Sequence, residues 1–334
     1  MPHRIGVIGT KWGLMHVGAF RAAGAEVVAL CGQHEAPTRE VAAREGIALA
    51  TADVRELCAA VDAVVVASPD ALHRAHVEAA LEAGRAVLCE KPLTLTREDA
   101  EALVEKVRRA KRPCAVNFPY RMLPPLRALR AWLMEHRAHH LVITVRNHFV
   151  PKEALEPGAY VGRSADFGGV SHLLDAALWL TGASPTWVKA SLSGRPVHTA
   201  ALQVGLSNGA VLVLTHAACP EPGLHGGWSL LGEDWEVGFS GGFIPVREGW
   251  CVSPVRCFES GAWRDLAPGL EPRPGEREPW AEAHVETARR FLGLLRSPPE
   301  VDPELATVEE AATVQRILSA AMESEDGGCR ILLD

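Results

Sequence analysis

From Arg4 to Asn117 the sequence alternates short apolar runs with amphipathic stretches, and few architectures accept that rhythm. Parallel strands cannot be joined by tight turns, so each must be followed by a crossover long enough to bring the chain back, usually a helix. The apolar runs predict strands at 5–9, 26–31, 63–67, 86–90 and 114–117. The stretches between them predict helices at 15–23, 37–45, 73–83 and 97–110. Thr96 precedes the last of these with Asp99 three residues on, close to a capping box. The expected fold is α/β, a doubly wound parallel sheet of the Rossmann type.

After Asn117 the pattern changes. Pro124-Pro125 opens a helix through Met134, and strand patterns then follow one another at 141–150, 187–193, 200–206, 210–216 and 228–231. Turn signals such as Ser207-Asn208-Gly209 and Gly232-Glu233-Asp234 separate several of them. One helix, at 171–180 with Gly182 as its stop, interrupts the series. Two more close the chain, the second opening at Thr307 with Glu310 completing a capping box. This reads as an α+β domain with an open, mostly antiparallel sheet, giving domains at 1–120 and 121–334, the closing helix free to pack back on the first. An open sheet covered on one face needs a partner on the other, so a homodimer or homotetramer through that face is expected.

With 334 residues, 48% of them hydrophobic and 22% charged, the chain can fill two cores. A net charge of -7 and a pI near 6.1 offer no electrostatic footprint for a phosphate backbone, which argues against a nucleic-acid partner and for a small molecule. No apolar run approaches the ~20 residues that cross a bilayer, and Met1-Pro2-His3-Arg4 leads straight into a short strand, so no membrane partner and a cytoplasmic location are expected. The eight cysteines are scattered without a Cys-x-x-Cys pair. Reduced, buried thiols are expected, with no metal site.

The first strand runs into Gly9-Thr10-Lys11-Trp12-Gly13 and then a helix, where a dinucleotide-binding fold turns around a pyrophosphate. Lys11 takes the place usual for the second glycine. Two readings stay open: Lys11 swings outward and adds charge near the phosphates, or it weakens the site. At the end of the second strand, where a carboxylate would meet the adenosine ribose, stand Cys31-Gly32-Gln33-His34. That absence makes NADP at least as fitting as NAD, with a plain solvated turn as the other reading.

At Glu90-Lys91-Pro92 the sequence resembles the glucose-fructose oxidoreductase and inositol dehydrogenase family, called Gfo/Idh/MocA. The same resemblance takes in Ala67-Ser68-Pro69-Asp70-Ala71-Leu72-His73, the run Ala79-Ala80-Leu81-Glu82-Ala83-Gly84 before Val87-Leu88-Cys89, and Gly168-Gly169 followed by Ser171-His172-Leu173-Leu174-Asp175. It implies a Rossmann domain followed by an open-faced sheet domain, with substrate held between them against a nicotinamide. It also implies that Lys91 acts on the substrate oxygen, often with a cis proline after it.

The resemblance implies an NAD(P)-dependent oxidoreductase moving hydride to or from a secondary alcohol or ketone, most plausibly of a sugar or cyclitol. Lys91 and His172 are the catalytic candidates, with Asp175 on the same helical face to orient the imidazole. The aspartate that usually precedes the histidine by four residues is replaced by Gly168. The cofactor set comprises Gly9, Thr10, Lys11, Trp12, Gly13, Gly32, Gln33, His34, Ser68, Pro69, His73, Glu90, Lys91, Pro92 and Asn117. Tyr120, Arg121, His148 and Tyr160 are the substrate candidates, Arg121 being equally suited to a structural ion pair. A cofactor-binding sensor without turnover and a lyase- or glycosidase-type reaction with no net redox change are the rival functions.

Overall fold

In a computed structural model the described residues are 2–136, 140–149, 168–193, 199–218, 226–241, 252–271, 273, 275–295 and 302–333. They form two compact units, 1–119 with 281–315 and 120–280 with 316–334. The first boundary falls at the end of the predicted α/β region. Residues 281–315, expected in the second domain, belong to the first unit.

The first unit carries β1 (Arg4–Ile8), α1 (Gly13–Ala22), β2 (Glu26–Cys31), α2 (Glu35–Glu45), β3 (Leu49–Thr51), α3 (Val54–Ala59), β4 (Ala63–Val66), α4 (His73–Glu82), β5 (Ala86–Cys89), α5 (Arg97–Ala110) and β6 (Cys114–Val116). Every predicted strand and helix of this region is present. The pair β3 and α3 was not predicted. Each of β4 and β5 is four consecutive buried residues, as expected for strands covered on both faces. Thr96 accepts from the Asp99 amide, capping α5.

From the later segment come α8 (Pro279–Leu294) and β15 (Ala306–Thr307), which complete the sheet order β15-β6-β5-β4-β1-β2-β3. β15 runs antiparallel to β6, pairing Ala306 with Val116 and Thr307 with Ala115. Phe291 of α8 meets Phe20 of α1 edge to face at 6.1 Å. These contacts are why 281–315 joins this core. The predicted capping box forms where α9 (Val308–Gly327) begins: Thr307 Oγ1 accepts from the Glu310 amide at 3.1 Å while Glu310 Oε2 accepts from the Thr307 amide at 2.8 Å.

The second unit holds α6 (Pro124–Glu135), β7 (Val142–Phe149), α7 (Gly168–Thr181), β8 (Pro185–Ser193), β9 (Thr199–Leu206), β10 (Val211–Ala218), β11 (Gly227–Leu231), β12 (Trp235–Ser240), β13 (Val255–Glu259), β14 (Ala262–Ala267) and β16 (Ile331–Leu332). The strands form one sheet ordered β14-β13-β12-β11-β7-β10-β9-β8-β16. All of its pairs are antiparallel except β7 with β10. Along β9 the residues from Thr199 to Val204 alternate exposed and buried, the signature of a sheet covered on one face. Among the described residues, no helix is long and apolar enough to cross a membrane.

Candidate functional site

The loop after β1 turns as its sequence predicted. Gly9 has φ +125°, and a Cβ there would sit 2.1 Å from the Ala67 carbonyl oxygen, so only glycine lets β1 pass this close to the end of β4. The Gly9 amide donates to Cys31 O at 2.8 Å, drawing the loop to the end of β2. α1 then begins at Gly13 with no acidic residue in its first turn, leaving its amide end suited to an anion. Lys11 is exposed. At the tip of β2, a Cβ on Gly32 would fall 2.3 Å from Thr38 Oγ1 and 2.7 Å from Thr10 Cγ2. No carboxylate side chain fits there without displacing both threonines. Gln33 and His34 are exposed beside it.

Glu90, expected to line the cofactor, is a buried junction, 4% exposed. Its Oε1 accepts from Trp12 Nε1 at 2.9 Å, from His16 Nε2 at 2.7 Å and from Asn117 Nδ2 at 2.6 Å. Its Oε2 accepts from the Lys91 amide at 3.2 Å. Burial pushes this carboxyl upward, but the hydrogen bond from His16 and the positive charges of His16, Lys91 and His284 outweigh it and hold the group well below the usual carboxylate range. His16 and His284 have no sequence signature. They enter the site because α1 and α8 pack here, with His284 edge-on to His16 at 5.8 Å and to Trp12 at 6.3 Å.

Asn117 supplies a further clue. Its amide nitrogen is fixed by the Glu90 acceptor, so its Oδ1 is the free end, and that oxygen is buried without a hydrogen-bond partner. An unmet buried acceptor costs about 1–3 kcal/mol, which a donor brought by a ligand would relieve. The carboxamide of a nicotinamide is such a donor, so these residues fit that cofactor.

The Lys91–Pro92 peptide is cis, as the family resemblance implied. His73, expected to touch the cofactor, is buried at 1% exposure. Its ring spans two carbonyls, Nδ1 to Pro92 O at 2.8 Å and Nε2 to Ser68 O at 2.9 Å. It therefore joins the loop after β4 to the Lys91-Pro92 turn. Ser68 also meets His76 Nδ1 through its hydroxyl at 2.9 Å.

In the second unit, Arg121 and Asp175 form a buried pair, each side chain 1% exposed. Arg121 Nε donates to Asp175 Oδ2 at 2.9 Å and Nη2 to Oδ1 at 2.6 Å, the bidentate geometry that makes such pairs strong. The expectation of Arg121 as a substrate clamp gives way to its structural alternative, and both oxygens expected to orient His172 are engaged by the guanidinium. His172 is held in another way. Its ring stacks on Tyr120 with centroids 4.9 Å apart and planes 9° from parallel, while Trp280 stands edge-on to both rings. Tyr120 is thus a buried support for the histidine, its hydroxyl pushed well above the ordinary value by burial. Sequence reasoning missed Trp280. His148 lies on β7 and nothing of its side chain is described; Tyr160 falls outside the described residues.

Residues 3–118 match the profile of an oxidoreductase family with an NAD-binding Rossmann fold, GFO_IDH_MocA. The Rossmann domain of this chain belongs to the Gfo/Idh/MocA family. Among the relatives, the inositol 2-dehydrogenase of Rhizobium meliloti (strain 1021) is 31% identical over 201 residues, 57% of this chain and 58% of that enzyme. The 1,5-anhydro-D-fructose reductase of Ensifer adhaerens is 36% identical over 138 residues, 38% of this chain and 41% of that enzyme. The matches thus span about half the length of these curated relatives. The same fold recurs over all of both chains in a levoglucosan dehydrogenase solved with NADH and L-sorbose, at a TM-score of 0.81 and 21% identity.

Proposed function

We propose that this chain is an NAD(P)-dependent dehydrogenase or reductase acting on a secondary alcohol or its ketone in a sugar or cyclitol. The observation that carries the reading is the Glu90 junction, which fastens the phosphate loop through Trp12 and the Lys91 turn through its backbone. The dinucleotide would be held by the Gly9–Gly13 turn, the Ser68-Pro69 loop and Asn117. When bound, it supplies or accepts the hydride. Lys91 hydrogen-bonds the substrate oxygen and stabilises negative charge developing on it. His172, braced by Tyr120 and Trp280, takes or returns the hydroxyl proton. Asp175 keeps Arg121 neutralised in the same unit.

The dehydrogenase relatives support the substrate class. Absence of a carboxylate at Gly32 supports acceptance of NADP beside NAD. A homo-oligomer formed through the open sheet face is supported by one row of directly paired residues: Val142, Leu231, Glu236, Phe258 and Trp263 stand opposite one another across β7, β11, β12, β13 and β14. Its four apolar members are at least 36% exposed. A cytoplasmic location belongs to the same proposal.

The test is absorbance of reduced nicotinamide while the protein is incubated with NAD or NADP and a panel of polyols. Growth of the reduced form with one of them is the expected result. Tight cofactor binding without turnover would point to a sensor, and product without net reduction to a lyase-type reaction.

A further inference from the structure

Four hydrogen bonds converge on Glu90, and they come from separate parts of the first unit. Trp12 belongs to the loop that precedes α1, His16 to α1 itself, Asn117 to the end of β6, and the Lys91 amide to the turn after β5. Three donors share Oε1, so a rotation of the carboxyl plane disturbs all three together. His284 stands edge-on to both His16 and Trp12, packing against two of these donors. Trp12 is 45% exposed while its indole N–H is tied inward. Its ring therefore faces whatever arrives at the loop, and its polar edge reports inward to Glu90.

We propose that Glu90 is a positioning residue that couples the seating of phosphates on the 9–13 loop to the placement of Lys91. The inference rests on the cofactor reading given above. A ligand that shifts the Trp12 indole moves the Glu90 carboxyl, and the other oxygen of that carboxyl holds the Lys91 backbone. A cofactor settled on its phosphates thereby sets the lysine before substrate is engaged.

ADP-ribose is the discriminating probe, because it carries the pyrophosphate and lacks the nicotinamide that would touch the Lys91 turn directly. The readout is the side-chain NMR signal of Lys91 in protein labelled with ε-carbon-13 lysine, assigned by its loss in Lys91→Ala. Saturating ADP-ribose is expected to move that signal in the wild-type protein. In Trp12→Phe, which keeps a ring in an exposed loop but loses the indole N–H, ADP-ribose is raised until calorimetry shows saturation, whatever the affinity, and the Lys91 signal is expected to stay in place at that saturation. Glu90→Gln is expected to behave the same way, and if it fails to fold Trp12→Phe decides alone. A shift of undiminished size in Trp12→Phe, or no shift in the wild type at saturation, would overturn the coupling while leaving the cofactor reading intact. Failure of the wild type to bind ADP-ribose, NAD and NADP alike would overturn the cofactor reading, and the coupling with it.

Discussion

Each unit buries a carboxylate at its functional end, and the two are used in opposite ways. Glu90 is shared among donors from four segments of the first unit, whereas Asp175 places both oxygens on the guanidinium of Arg121. Asp175 is a clamp that fixes α7 against the turn carrying Tyr120 and Arg121. Glu90 is a junction, through which a change at one donor reaches the others. A clamp contributes rigidity beneath His172, and a junction contributes communication beneath Lys91.

The largest expected effect sharpens that contrast. Asp175→Ala removes both acceptors of the buried bidentate pair with Arg121, which should cost about 3–5 kcal/mol in denaturant unfolding. The double replacement Arg121→Met with Asp175→Leu should regain most of that loss, because an apolar pair of similar volume satisfies a clamp. Glu90→Ala should cost about 1–3 kcal/mol. No apolar partner at His16 should recover it, because the Trp12, Asn117 and Lys91 donors still face the gap. Recovery at Glu90, or none at Arg121 and Asp175, would break the comparison.

Acid titration gives a smaller and more specific signature. The Glu90 carboxyl lies below its ordinary value of 4.5 in the folded protein, so in acid the unfolded chain binds more protons than the folded one. Its contribution is complete above about pH 4.5 and is lost progressively as the pH falls through the range below. Unfolding measured from neutral to acid pH should show a shallower acid decline in Glu90→Gln than in the wild type. An equal decline would place the acid sensitivity elsewhere. Smallest of all, Asp53→Ala removes the side chain that accepts from the Arg55 amide at the start of α3 and should cost about 1 kcal/mol.

Much of the first unit was legible in the sequence because its central strands are continuous apolar runs and α5 begins with a recognisable cap. β3 and α3 were missed for a physical reason: a three-residue strand and a six-residue helix are too short to show a period. β12, β13, β14 and β16 were also missed; the edge strand β14 is exposed or half-buried throughout and shows no alternation, and β16 is two residues long. Which core 281–315 would join was not written in its amphipathic pattern, since an apolar helix face does not name its partner. The site divides in the same way. Lys91 and the phosphate loop announce themselves through local motifs. His16, Trp280, and the pairing of Arg121 with Asp175 depend on contacts between distant segments, and no spacing encodes them.

In the proposed function Lys91 serves the chemistry while other groups of the Rossmann unit hold the cofactor. Titration of NADH and NADPH into wild type and Lys91→Ala, followed in the same samples by turnover of the polyol that the wild type accepts, tests it most directly. Little change in dinucleotide affinity and a fall in kcat of at least ~10²-fold are expected in the variant. Near-normal turnover in Lys91→Ala would contradict it.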